Sequence, residues 1–245
     1  MKLHKPSRHD IFASLGFLLV LVTLVYAGWW AWNAYRNPTA KVDFARYPVK
    51  GIDVSAHNGE IDFDQVADSG VDFVWIKASE GETVRDSRFR ENFDKANKAG
   101  LRVGAYHYFR FDCDGVMQAM NLCQALDDRF PDMGVAIDVE EESNAVGIDN
   151  ESILDNIFTM IDYLQLRGYS IVLYSNKEGF LDYFHDRFAQ YPIWLCSFTD
   201  FSPADDIDWT FWQYSHTGKV PGIDGYVDLD VYDGSREDFD RFPQY

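Results

Sequence analysis

The chain has 245 residues, 47% of them apolar and 16% aromatic, enough for the core of one large α/β domain or of two ordinary ones. Its formal net charge of −18 is uneven: residues 1–50 carry seven Lys/Arg against two Asp/Glu, and the remainder balances at −23. So acidic a body excludes nucleic acid as a partner, because holding phosphate demands a positive surface. In chain order, residues 1–10 form a basic segment with Lys2, Lys5 and Arg8, followed by the uncharged run Ile11–Trp32. At ~1.5 Å per residue such a run spans about 33 Å, the thickness of a hydrocarbon core. Trp29, Trp30 and Trp32 fit an interfacial aromatic belt. The expectation is a single-pass membrane anchor over 11–32 with the basic flank cytoplasmic and the body extracytoplasmic, in the periplasm or at the cell surface. Val25-Tyr26-Ala27 offers the alternative of a cleaved signal and a secreted product, against which the apolar run is longer than a signal core. Residues 33–50 read as a polar, proline-containing spacer.

From residue 51 to 245 the pattern is that of one domain. Strand candidates are 51–56, 73–79, 103–109, 135–140, 170–176, 193–198, 209–215 and 226–232. Amphipathic stretches such as Asp86–Ala99 and Asn150–Leu166 lie between the first five. Strand–helix alternation implies a parallel sheet with helices outside. Eight strands in this length predict a barrel whose last strands have lost their helices. Cys113, Cys123 and Cys196 show no metal spacing; a Cys113–Cys123 bridge is conceivable, and ordinary semi-buried thiols are the plainer reading.

Three strands carry aspartate between aliphatic residues: Asp53 in GIDVS, Asp138 in AIDVE and Asp228 in VDLDV. Side chains alternate along a strand, so if the Ile and Val positions meet the helices, the acids point into the barrel. Glu140 shares the face of Asp138, and Asp230 that of Asp228. Placed late in their strands, these acids converge on one mouth, the face where parallel barrels build their sites. Glu141 and Glu142 fall beyond the strand and face water. Strand ends nearby add Lys77, Ser79, Glu80, Tyr106, His107, Tyr108, Tyr174, Trp212 and Gln213. Acids among aromatic rings suit a carbohydrate, since cleaving a glycosidic bond takes one protonated and one ionised carboxyl group. Crowded acids divide those roles by raising one another's proton affinity. His57 and His107 lie near these acids without a metal-ligand spacing, so no metal or other cofactor is expected.

With these residues in view, the stretch from about Gly51 to Phe242 resembles the glycoside hydrolase family 25 lysozymes, the Chalaropsis-type muramidases. GIDVSAHNGEIDF, GVDFVWIKASEG, AGLRVGAYHYF, AIDVE, YSIVLYSN, WQYSHTGKVPGIDG and YVDLDVYDG carry the resemblance, in order. It implies a flattened (β/α) barrel of eight strands and five main helices. It also implies retaining hydrolysis of the β-1,4 bond between N-acetylmuramic acid and N-acetylglucosamine in peptidoglycan glycan strands. By resemblance Glu140 is the general acid. Asp138 assists it, either by orienting the substrate's N-acetyl group or by stabilising the cationic transition state. Asp53 and Asp228 are further cleft acids, and Tyr106, Tyr174 and Trp212 are cleft aromatics that bind substrate. Asp230 stands where many relatives have Asn and is expected to add charge at the cleft rim; Cys196 and Phe198 replace a small residue and a tyrosine. A non-catalytic peptidoglycan-binding barrel, or a glycosidase acting on another N-acetylhexosamine glycan, is the alternative. The extended acid pattern of chitinases is absent before Glu140.

Overall fold

The computed structural model describes residues 8–36, 39–184, 187–198 and 207–243, and the chain divides into two compact units, Met1–Pro38 and Thr39–Tyr245. Lys2 and Lys5 lie outside the described residues. In the first unit, α1 (Arg8–Arg36) is a 29-residue helix. Its Leu15–Trp32 stretch has a mean hydropathy of 1.8 and no buried residue, so by length and composition it is sufficient to cross a membrane. The expected spacer divides in two. The helix continues to Arg36, whereas from Thr39 the chain belongs to the second unit: Thr39 bridges to Ser215, and the buried Tyr47 ring packs against Trp209 and Trp212.

In the second unit the strands are β1 (Lys50–Val54), β2 (Phe73–Glu80), β3 (Val84–Arg85), β4 (Arg102–Tyr108), β5 (Val135–Asp138), β6 (Ile171–Asn176), β7 (Ile193–Cys196), β8 (Phe211–Gly218) and β9 (Val227–Tyr232). Their order is β1-β9-β8-β7-β6-β5-β4-β2-β3, and β1 also pairs with β2. Eight strands thus close a barrel, and β3 folds back on β2 alone. Seven of the eight run parallel; β9 is antiparallel to both of its neighbours, β1 and β8. Four helices, α2 (Phe63–Asp68), α3 (Phe89–Lys98), α4 (Gly115–Leu126) and α5 (Asn150–Gln165), connect the early strands. Asp62, Asp114 and Asp149 cap α2, α4 and α5, each accepting from a backbone N–H of the first turn. Beyond β6 the helices shorten to α6 (Lys177–Gly179), a π-helical turn over Phe180–Phe184, and α7 (Arg236–Asp240).

The alternation along each strand sorts two cores. Ile52, Val54, Ile137, Val139 and Val231 face outward into the layer shared with the helices. Phe73, Trp75, Ala136, Val172, Trp194 and Phe211 fill the barrel, with Phe239 and Phe242 in the same cluster. Trp75 stacks on Trp194 at 5.2 Å and meets Phe211 edge-on at 5.4 Å. Room for these rings comes from glycine: a Cβ on Gly104 would fall 2.1 Å from the Trp75 indole, and one on Gly51 2.1 Å from the Phe73 ring. The aromatic filling is a floor on which a cleft rests.

Candidate active site

At the end of the barrel where the parallel strands finish lies a cleft of about 880 Å³, lined among others by Asp53, Lys77, Tyr106, Asp138, Glu140, Tyr174, Trp194, Cys196, Gln213 and Asp228. Asp53 closes β1 from within, one residue before its end. Asp138 ends β5, and its backbone carbonyl accepts from Phe109 N at 2.8 Å. Glu140 follows on a short extension pinned from both sides. Val139 N donates to Tyr174 O at 2.9 Å, Ser175 Oγ donates to Val139 O at 2.6 Å, and Asn144 Nδ2 donates to Glu140 O at 2.8 Å. Asn144 also ties Phe109 and Phe111 to the same loop.

Asp228 reaches the mouth by a different route. It is the second residue of β9, not a late one; because β9 runs against its neighbours, its beginning lies where theirs end, and Asp228 pairs in register with Asp53. The same reversal carries Asp230 inward. The expected rim charge is instead a completely buried carboxyl. Its Oδ1 accepts from Trp194 Nε1 at 2.8 Å, and its Oδ2 has no hydrogen-bond partner.

Burial is the first cause of every carboxyl shift in the cleft. It raises Asp53 well above the ordinary range, with the charges of Asp228 and Asp230 adding and the Gln213 hydrogen bond opposing. Asp138 is raised well above that range by burial and then by Glu140, with Lys77 opposing. Glu140 is raised by burial, with a hydrogen bond from Tyr174 opposing. Asp228 is pushed up to about 6 by burial, with the neighbouring Asp53 opposing. The cleft thus gathers carboxyls whose proton affinity burial raises to different degrees, the kind of inequality that acid-assisted cleavage of an acetal uses. Lys77, whose ammonium pairs with Glu80 at 2.8 Å and lies 5.0 Å over the Tyr108 ring, is the cation set against Asp138 and Glu140.

Asp53, Asp138, Glu140, Asp228, Tyr106 and Tyr174 are therefore brought together. Trp212 is not, and its reading as a cleft aromatic is corrected. Its position on β8 points outward, where its indole packs with Tyr47, Trp209 and Tyr214 and Nε1 donates to Ser197 O at 2.9 Å. The inward neighbour is Gln213, a lone amide in the run WTFWQYS. The tryptophan of the cleft is Trp194, directly opposite Tyr174 in the strand register and edge-on to it at 4.6 Å. Cys196 and Phe198, singled out as departures, both line the cleft. His107 faces away: it is fully buried between Ser79 Oγ at 2.8 Å and Gln118 Oε1 at 3.1 Å, and burial lowers it to about 4. Glu141 is exposed, whereas Glu142, though exposed, borders the cleft. All three cysteines are free thiols. Among the described residues no group of three or more His, Cys, Asp or Glu is arranged to hold a metal ion.

Comparison with known proteins gives a consistent picture. The family described as Glycosyl hydrolases family 25 matches residues 52–223. The solved structure of a family 25 glycosyl hydrolase from Bacillus anthracis superposes with a TM-score of 0.77 at 34% identity, covering 84% of this chain and 97% of that one. The autolytic lysozyme of Clostridium acetobutylicum is 34% identical over 184 residues, 75% of this chain, and the chain spans 56% of that protein's length. Lysozyme M1 of Streptomyces globisporus is 30% identical over 204 residues, covering 76% of this chain and 68% of its own.

Proposed function

This chain belongs to the glycosyl hydrolases of family 25, and on that footing we propose that it is a muramidase cutting the β-1,4 bond between N-acetylmuramic acid and N-acetylglucosamine in peptidoglycan. The observation that carries the reading is the meeting of Asp138 and Glu140 with Asp53 and Asp228 in one aromatic-lined cleft. Glu140 is the general acid: it sits at the cleft surface, its proton affinity is raised by burial, and its backbone is pinned. Asp138 lies deeper, with its Oδ1 buried and without a hydrogen-bond partner, and lines the cleft beside Glu140. Either it orients the N-acetyl group for attack from within the sugar, which retains configuration at the anomeric carbon through two successive displacements, or it faces the cationic centre as the bond opens. Tyr106, Tyr174 and Trp194 offer ring faces and edges to the apolar sides of the sugars. A helix of the length and composition of α1 tethers the enzyme to a membrane, with the barrel on the extracytoplasmic side where the polymer lies.

The test uses the full chain in detergent on purified sacculi, scoring soluble fragments and the identity of each new reducing end. Reducing muramic acid is expected. Glu140→Gln keeps the shape and removes the transferable proton, so release falls by roughly 10²–10⁴-fold. Undiminished release by that variant removes Glu140 from its role, and reducing glucosamine ends overturn the choice of bond.

A further inference from the structure

Glu140 is carried by no regular element. β5 ends at Asp138 and α5 begins at Asn150, so the acid stands on the connection 139–149. Connections are the mobile parts of a fold, yet a catalytic group displaced by ~1 Å loses up to about 10²-fold in rate. The connection is held by the turn that follows β4. Phe109 N donates to Asp138 O at 2.8 Å and extends the β4–β5 pairing past the strand end. From there Asn144 takes over. Phe111 N, which can only donate, gives its hydrogen to Asn144 Oδ1 at 2.9 Å. That bond sets the direction of the amide. Its NH₂ end then faces two carbonyls, Phe109 O at 2.9 Å and Glu140 O at 2.8 Å. Tyr108 Oη donates to Glu142 O, and Arg110 Nη1 donates to Ser143 O at 2.7 Å. The chain bends sharply to receive these bonds: Ser143 has a φ of 62°, in the left-handed region that side chains other than glycine rarely enter.

The turn is itself gripped from behind. Gln118 of α4 is completely buried. Its Oε1 accepts from Arg110 N at 2.8 Å, and its Nε2 donates to Arg110 O at 3.0 Å and Cys113 O at 3.3 Å. Two amides in series thus join the helical layer to the acid: Gln118 holds the turn, and Asn144 holds Glu140 to the turn. Asn144 is not among the residues that line the cleft, and its bond to Glu140 is to the backbone, which leaves the carboxyl to face the sugar.

We propose that Asn144 is a positioning residue for the general acid, fixing the main chain at Glu140 so that its carboxyl meets the glycosidic oxygen in one geometry. The proposal rests on the muramidase reading for the reaction and deepens it by naming what makes Glu140 effective. As the bond from the anomeric carbon to the glycosidic oxygen breaks, its electron pair goes to that oxygen, which takes the Glu140 proton. Without the brace the proton is still present but poorly aimed.

The experiment uses the full chain in detergent with two soluble substrates. One is a glycan fragment of peptidoglycan, whose leaving alcohol must be protonated. The other is the 2,4-dinitrophenyl β-glycoside of N-acetylmuramic acid, whose phenolate leaves without a proton. Asn144→Ala should lower kcat on the glycan fragment by ~10–10²-fold with KM unchanged. On the aryl glycoside kcat/KM, which reports only bond breaking, should stay within about threefold of wild type. In a Glu140→Gln background Asn144→Ala should cost little more, since residues that act as a unit are not additive. Arg110→Met keeps Asn144 and gives up the adjacent bond to Ser143 O; it repeats the pattern at smaller size and serves where Asn144→Ala does not fold. A merely structural asparagine depresses both substrates alike and multiplies with the loss of Glu140. Either result overturns the proposal. Amide hydrogen exchange supplies a reading without substrate: Phe111 N–H is protected in the wild type and exchanges ~10-fold faster or more in Asn144→Ala. An unprotected Phe111 in the wild type also overturns the proposal. A wild type inert on both substrates, with Phe111 protected only while Asn144 is present, rejects the muramidase reading and leaves the brace standing.

Discussion

Replacing Asp230 with asparagine measures what the innermost carboxyl costs the fold. Asp230 is completely buried, and burial, followed by the charge of Asp228, raises its pKa well above the ordinary range while Trp194 and Asp53 oppose. A carboxyl shifted in this direction contributes stability that is complete below its unfolded value, near 4. That contribution is lost as pH rises toward the folded value, because the unfolded chain releases a proton that the folded chain retains. The loss runs at ~1.4 kcal/mol per pH unit across the window. Asparagine offers Trp194 the same acceptor, turns an N–H toward Asp53 and does not titrate. The stability difference between Asp230→Asn and wild type must therefore grow in the variant's favour as pH rises from about 4. For a barrel of this size ~1 kcal/mol corresponds to roughly 2–4 °C in Tm, so the gap widens by roughly 3–6 °C per pH unit until the folded pKa is reached. Thermal unfolding followed by circular dichroism, at half-unit steps of pH in one detergent, reads it directly. A gap that stays constant with pH would falsify the claim that Asp230 keeps its proton in the folded barrel.

Two further outcomes come from side chains outside the cleft. His107 is lowered by burial to about 4, so its neutral ring stabilises the fold fully above the unfolded value near 6.5 and loses that contribution as pH falls through 4. The whole shift is worth about 3 kcal/mol, and an imidazole NMR titration with a midpoint above 6 contradicts it. Trp212→Phe gives up the 2.9 Å bond to Ser197 O and part of an outer-layer contact. It should lower stability by ~1–2 kcal/mol and leave the KM for glycan fragments unchanged; a raised KM with unaltered stability restores Trp212 to the cleft.

Period-two alternation made the inward acids legible: Ile52 and Val54, like Ile137 and Val139, do face the helices, so Asp53 and Asp138 face the barrel. What alternation does not encode is strand direction. VDLDV reads the same whichever way it runs, so Asp230 was expected at the rim and lies in the interior. Trp212 shows a second limit. Four successive residues of β8, Phe211-Trp-Gln-Tyr214, hold three aromatics, and burial of aromatics on both faces erases the apolar/polar contrast that fixes parity. The signal available there was Gln213, the single amide in an otherwise apolar run. Trp194 was hidden in the same way, in a strand whose two faces are both buried. Asn144 carried no signal at all, since a loop side chain that bonds three backbone groups has no period. The stretch 39–50 looked like a spacer because its composition is polar, yet Tyr47 and Val49 are enough to seat it on the barrel.

Asp53 comes from the first strand of the ring and Asp228 from the last, and the two meet only across the seam where β1 and β9 zip together. A product stopped or clipped before Val227 retains Glu140 and Asp138 but lacks half of this carboxyl pair and leaves the circle unsealed. The acid cluster is therefore complete only once the final strand is in place. Proteolysis before Val227 removes Asp228 and opens the ring in one step, far along the sequence from Asp138 and Glu140.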